Sequence, residues 1–228
     1  MSAITRREFI IAGSVLAGAA VSGLVPGSGV LSASKAHAAG VVFPESSCGP
    51  KNKAGKRVLV AYASYCGTTG GVAEAIGRVF CEAGVDTDVR LVKHVDDVSA
   101  YSAVVVGSAV RSTSWYPEAI EFVQKHRQTL SRIPVAYFLT CLSLYEDSEA
   151  SRRVARSYMD PVLNAAPDVR PLDTGLFAGV LDYSKMNMMI RMVMRSKMKS
   201  KGVPEGDFRD WNAIRSWAGG LIARLIAT

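Results

Sequence analysis

Ser64, Thr68 and Thr69 place three hydroxyls within six residues, with Tyr65, Cys66 and Gly67 between them and Gly70 and Gly71 just after. Hydroxyls interleaved with glycine suit an oxyanion loop, because small residues let successive backbone N–H groups close around a phosphate. The positive end of a following helix strengthens such a site. The flanks supply that setting. Residues 58–63 form an apolar, β-branched run of the length of a buried parallel strand, and Val72, Ile76, Val79 and Phe80 then recur at helical spacing. The unit reads as strand, anion loop, helix.

What the loop lacks narrows its ligand. No Lys-Ser or Lys-Thr pair follows the glycines, which disfavours a nucleoside-triphosphate loop. Gly-x-Gly-x-x-Gly is absent, and the next expected strand, about 87–92, runs into Lys93 and His94 where a dinucleotide fold wants an acidic ribose ligand. A thiol phosphatase would need Arg six residues after its nucleophile, and the residue six after Cys66 is Val72. An ordinary strand-to-helix turn without a ligand stays open on these residues alone.

Apolar runs at about 103–107, 134–142 and 169–180 alternate with helical segments at about 117–128 and 148–163. This is the signature of a doubly wound α/β sheet, whose ligands sit beyond the strand C-termini. Two further loops therefore become site candidates. The second contains Ser108, Ala109, Val110, Arg111, Trp115 and Tyr116; either aromatic can stack on a planar ligand or cover the start of the helix opened by Pro117. Arg111 is the candidate substrate-facing residue. No acidic residue ends that strand at Gly107-Ser108, which argues against a phospho-accepting receiver domain. The third loop offers Cys141, Leu142 and Tyr145, the last as a second stacking ring.

Residues 184–201 read as an inserted basic helix. Met186, Met189, Ile190 and Val193 are expected on one face, with Lys185, Arg191, Arg195 and Lys199 largely elsewhere. That face can pack on the domain, meet an anionic membrane or cover a large apolar substrate; methionine-rich metal binding is a remoter reading. A last helix is expected from a cap at Asp210 through Ile214, Trp217, Leu221 and Leu225, with both its tryptophans in the core. His94 and His126 lack an acidic partner at triad-like spacing and are expected on the surface.

The 228-residue chain is basic, with a formal charge of +7. Its start, Thr5-Arg-Arg-Glu-Phe-Ile-Ile11, precedes a Gly/Ala-rich apolar run and Ala36-His37-Ala38, the pattern of a twin-arginine export signal over 1–38. Removing it takes away three cations and one acid, so the remainder stays basic. An exposed lead-in is expected over 39–56 and one domain over 57–228. Cys48, Cys66, Cys81 and Cys141 fit no metal spacing, and no metal site is expected. They read as small or spare thiols, with a Cys48–Cys66 bridge as an alternative in an oxidising compartment.

The run Ser64-Tyr65-Cys66-Gly67-Thr68-Thr69 resembles the flavodoxin phosphate loop, Ser/Thr-x-Thr-Gly-x-Thr, with Cys66 in place of one hydroxyl. Gly-Ser-x-x-Arg at 107–111, Gly-x-x-x-Tyr at 179–183 and Asp-Phe-x-x-Trp at 207–211 resemble the menaquinone-dependent protoporphyrinogen dehydrogenase branch of that family. The resemblance implies a five-stranded parallel sheet of order 2-1-3-4-5. It also implies FMN held by residues of the three loops, including Ser64, Tyr65, Cys66, Gly67, Thr68 and Thr69, and electron transfer to a quinone or a redox-protein acceptor. Folded export with cofactor inserted suits periplasmic residence, with 183–201 as a candidate contact to anionic membrane; nucleic acid is not among the expected partners. Three readings stand: an FMN oxidoreductase, an electron shuttle without its own substrate, and a flavodoxin-fold binding module lacking cofactor.

Overall fold

The computed structural model describes residues 41–49 and 56–226. The expected export signal, 1–38, lies outside the described residues. Seven strands form the main sheet: β1 (Ser46–Cys48), β2 (Arg57–Ala63), β3 (Asp86–Leu91), β4 (Ala103–Arg111), β5 (Ser114–Trp115), β6 (Val135–Cys141) and β7 (Thr174–Ala178). They run in the order β1-β3-β2-β4-β6-β7, with β5 turned back on β4. Strands β3, β2, β4, β6 and β7 are mutually parallel, which is the 2-1-3-4-5 order.

The apolar runs are unbroken because both sheet faces are covered, so every second side chain enters a different core. Leu59, Ala61, Val104, Val106, Tyr137 and Leu139 point to one face. There they meet α2 (Pro117–Lys125), α3 (Arg127–Leu130), α4 (Glu149–Ser157) and α5 (Asp160–Ala165). Val58, Val60, Tyr62, Val105 and Phe138 point to the other, against α1 (Thr68–Glu82) and the last helix, Trp211–Ile226. Each such large side chain contributes roughly 1.5–3 kcal/mol by leaving water. Gly107 faces Phe138 in register, and a Cβ there would enter the phenyl ring, so glycine permits the central pair β4–β6 to close.

Several expectations shift. Within the expected exposed lead-in a strand forms: β1 pairs antiparallel with β3, where Asp88 is a buried carboxylate that needs partners. Ser47 from β1 donates to it at 2.5 Å, Tyr101 at 2.9 Å, and Arg57 and Arg90 close ion pairs at 2.5 and 3.1 Å. The cysteines are also corrected. Cys48 is bonded to Cys81 at the end of α1, Cα to Cα 5.9 Å, leaving Cys66 and Cys141 free. His126 is buried beside Phe122, and burial holds its pKa below the ordinary value; His94 pairs with Glu45 at 3.0 Å. Both long helices split, one at His126 and one ahead of Pro161, which starts a new helix because its ring cannot continue the old one.

After β7 the chain leaves the sheet. It forms β8 (Val180–Leu181), then α6 (Met188–Ser200), and returns through β9 (Gly206–Asp207), which pairs antiparallel with β8. Asn187 starts α6 by accepting from the Ile190 N–H at 3.0 Å. Asp210 caps the last helix, α7 (Trp211–Ile226), accepting from Asn212 and Ala213. Trp211 and Trp217 are half-buried against the second core, Trp217 donating to Asp173 at 3.3 Å. Among the described residues no helix is long and apolar enough to cross a membrane.

Candidate functional site

The chain order reverses at β2: β3 lies to one side and β4 to the other, so the C-terminal ends of β2 and β4 form the crevice of the sheet. The first loop leaves β2 there. Gly67 precedes α1 with φ of 73°, a left-handed conformation for which glycine carries no Cβ penalty. The first turn of α1 has no side-chain cap and no acidic residue. Its N–H groups and positive dipole end are thus not neutralised by the helix's own side chains, next to the half-exposed hydroxyls of Ser64 and Thr68. This donor set fits a phosphate ester.

Thr69 departs from the expectation. It is fully buried, and its hydroxyl is 2.8 Å from that of Thr140 at the end of β6, so it ties the loop to the sheet. Cys66 is half-buried and donates its thiol to the Lys185 carbonyl at 3.5 Å. Burial, aided by Asp182 and opposed by Lys185, pushes its pKa up, which disfavours the thiolate.

In the second loop the roles of the aromatics separate. Trp115 is 1% exposed, set edge-on to Tyr137 at 5.2 Å in the core. The expected stacking role of Trp115 is therefore corrected: the β5 strand turns its ring inward. Tyr116 is half-buried. It packs against the first core, and burial pushes its pKa up to about 12, with the Arg111 charge opposing and Cys66 and Tyr65 adding to the rise. Ser108 is buried and structural, accepting from the Tyr116 N–H at 2.9 Å. Ala109 and Val110 are half-buried along β4, and Arg111 is exposed at its end. Ser112 and Thr113, at φ of 49° and 68°, make the two-residue turn into β5.

In the third loop Cys141 is buried, its pKa pushed up to about 11 by that burial, so it offers no reactive thiolate. Leu142 and Tyr145 instead join a third apolar cluster with Cys66, Phe208, Tyr183, Met186, Ile190, Met194 and Met198. Tyr145 meets Phe208 edge-on at 5.8 Å. The segment from β8 to β9 therefore roofs the crevice, and Asn187 anchors it by donating to the Tyr65 hydroxyl at 2.9 Å. The packed face of α6 is Ile190, Met194 and Met198; Met189 and Val193, expected with Ile190, are exposed, because the helix is rotated to seat the residues nearest Tyr183.

Two features escaped sequence reasoning. Arg209 donates to the Thr68 carbonyl at 3.0 Å, stacks over Trp211 at 4.3 Å and pairs with Asp207 at 2.5 Å, bringing a guanidinium to the first turn of α1. The Asp-Phe-x-x-Trp pattern was its visible trace. The second is the lead-in, whose Val42 carbonyl occupies the space a Cβ on Gly67 would need and whose Pro44 carbonyl accepts from Tyr62 at 2.9 Å.

The flavodoxin domain family matches residues 59–206, from the third residue of β2 to the start of β9. The chain belongs to the flavodoxin family. Family membership points to flavin binding. This flavodoxin-family chain is 26% identical over 182 residues to a protoporphyrinogen IX dehydrogenase [quinone] of Leishmania major, covering 75% of this chain and 77% of that protein. It is 24% identical over 170 residues to the protein of that name from Escherichia coli K12, covering 71% and 92%. Among solved structures, Megasphaera elsdenii flavodoxin is 16% identical with a TM-score of 0.44, covering 72% of this chain and 98% of that one.

Proposed function

We propose that this protein is an FMN-dependent oxidoreductase that passes electrons from a reduced organic substrate to a quinone-type acceptor. The observation that carries the reading is the N-terminus of α1, without a side-chain cap or an acidic residue in its first turn and flanked by Ser64 and Thr68. Bound FMN supplies the exchange of a hydride or of single electrons. The chain's own residues hold and enclose it. Backbone N–H groups of the first loop and the Ser64 and Thr68 hydroxyls take the phosphate, while Tyr116 and Tyr145 flank the crevice from the second and third loops. The Tyr116 hydroxyl stays protonated at neutral pH, and exposed Arg111, at the end of β4, provides a cation for an acidic substrate or for negative charge on the ring.

The relatives' names make protoporphyrinogen the first donor to assay and a soluble naphthoquinone the first acceptor. Residence in an oxidising, exported compartment is supported by the Cys48–Cys81 disulfide together with the paired Arg6 and Arg7. The test is the absorbance spectrum of protein purified without added cofactor, with mass analysis of what denaturation releases, followed by turnover with donor and quinone. FMN near one per chain with quinone-dependent turnover is the expected result. Protein that is colourless and leaves added FMN unbound would refute the proposal; bound FMN without turnover would leave the electron shuttle in its place.

A further inference from the structure

Helix α6 has two apolar sides, and only one has a partner. The inner side, Ile190, Met194 and Met198, packs with Tyr183 and Met186 into the roof of the crevice. The outer side carries Met188, Met189, Met192 and Val193, exposed by 81%, 72%, 70% and 56%. Half of the large hydrophobic side chains exposed among the described residues thus fall within six positions of one helix, where scattered single ones would need no explanation. Around them Lys185 pairs with Asp182 at 3.4 Å, Arg191 donates to the Met186 carbonyl at 3.2 Å and Arg195 lies over the Tyr183 ring at 5.2 Å, but along the helix itself the charge has one sign. Lys185, Arg191, Arg195, Lys197, Lys199 and Lys201 lie in a stretch with no acidic residue from Tyr183 to Pro204. Burial and the neighbouring Lys197 hold the Lys201 amine below its ordinary pKa, as expected where cations crowd.

We propose that the outer face of α6 docks on anionic phospholipid, with Met188, Met189, Met192 and Val193 entering the headgroup–acyl boundary and exposed Lys199 with its neighbouring lysines on the phosphates. An in-plane amphipathic helix of this kind needs flexible apolar side chains on a convex surface and cations within reach of the interface, and α6 offers both. A groove on an acidic protein would also match the charge. It is less suited to four unbranched or small side chains standing 56–81% exposed on a convex helix, which ask for a yielding phase more than for shaped pockets. The inner face of the same helix packs against Cys66, Leu142 and Tyr145, so the lipid boundary would lie about one helix diameter, roughly 10–12 Å, from the crevice. As an account of where the acceptor resides, this rests on the quinone reading above; the docking itself needs neither flavin nor quinone.

The test is hydroxyl-radical footprinting of the full chain, flavin-free, with vesicles of phosphatidylcholine alone or with about one third phosphatidylglycerol. Residues outside α6 can also hold the protein on a vesicle, so the readout is oxidation of individual methionines. Met188, Met189 and Met192 should lose most of their oxidation with anionic vesicles at low salt and regain it in about 0.5 M salt, while buried Met198 stays unchanged. Lys199→Glu, at an exposed position, should shift half-protection to at least fivefold more lipid without changing thermal stability. Equal oxidation of the outer methionines with and without anionic vesicles would overturn the proposal, whether the protein pellets or not. So would equal protection by uncharged vesicles, or protection by an acidic protein alone. Because no cofactor enters the assay, its failure would leave the oxidoreductase reading standing, and a colourless protein would leave the docking result standing.

Discussion

Replacing Cys48 by Ser opens a covalent loop that joins the edge strand β1 to the end of α1, the two cysteines having a sequence separation of 33. Freeing a loop of that length returns to the unfolded chain an entropy worth about 4 kcal/mol at 25 °C. For a domain of this size, each kcal/mol moves the melting temperature by about 2–4 °C, so Cys48→Ser should melt about 8–15 °C below the parent. The comparison belongs on flavin-free protein, since a bound ligand adds its own stability and masks part of the loss. Melting is followed by circular dichroism with and without a thiol reductant. Reductant should bring the parent down to the variant and leave the variant where it is. Parent and variant melting within about 2 °C of each other, or four titratable thiols in the unreduced, unfolded protein, would refute both the pairing and the entropy argument.

Four further outcomes follow from the site and its supports. Gly67→Ala should weaken FMN binding at least tenfold, read by fluorescence quenching, because a φ of 73° costs an L residue about 1–2 kcal/mol and the new methyl meets the Val42 carbonyl. Arg209→Ala should raise the FMN dissociation constant roughly tenfold and that of riboflavin less, since the guanidinium braces the phosphate end of α1 through Thr68. Trp115→Leu should lower the melting temperature with little change in flavin affinity, whereas Tyr116→Leu should change flavin binding with little loss of stability; the reverse pattern would restore Trp115 as the ring beside the ligand. Burial alone would raise the Asp88 pKa, but Ser47, Tyr101, Arg57 and Arg90 outweigh it and hold it below the ordinary value. Its contribution is therefore complete above the unfolded carboxylate pKa of about 4 and lost as pH falls through the folded one, so Asp88→Asn should cost roughly 2–3 kcal/mol at pH 7 and less near pH 3, measured by urea unfolding.

The parallel core was legible because a strand buried on both faces writes its whole length in apolar residues, as 58–63 and 103–107 do, and because glycine and hydroxyl residues punctuate the turn between β2 and α1. The strand order came with the family resemblance. The edge strand β1 was not legible: its residues, Ser-Ser-Cys, carry no periodicity, and what fixes them is a carboxylate 41 positions away. The cysteine pairing failed for the same reason, since it depends on β1 lying along β3. Trp115 and Tyr116 look equivalent in sequence, and only the tight Ser112-Thr113 turn decides which ring faces inward. On α6, helical periodicity identified an apolar stripe, but the helix has two such sides, and contact with Tyr183 and Cys66 selects the one that packs.

The path of residues 41–48 along the edge of the sheet has a consequence for how the molecule is held. Val42 and Pro44 lie against Gly67 and Tyr62 at the C-terminal edge of the strands, and the chain then runs antiparallel to β3 until Cys48 fastens it to the far end of α1. Val41, the first described residue, therefore lies at the crevice end of this domain. A pull on the chain at Val41 draws on the crevice pole first and peels residues 42–47 from the edge; the disulfide stops that peeling at Cys48 and passes the load to the opposite pole.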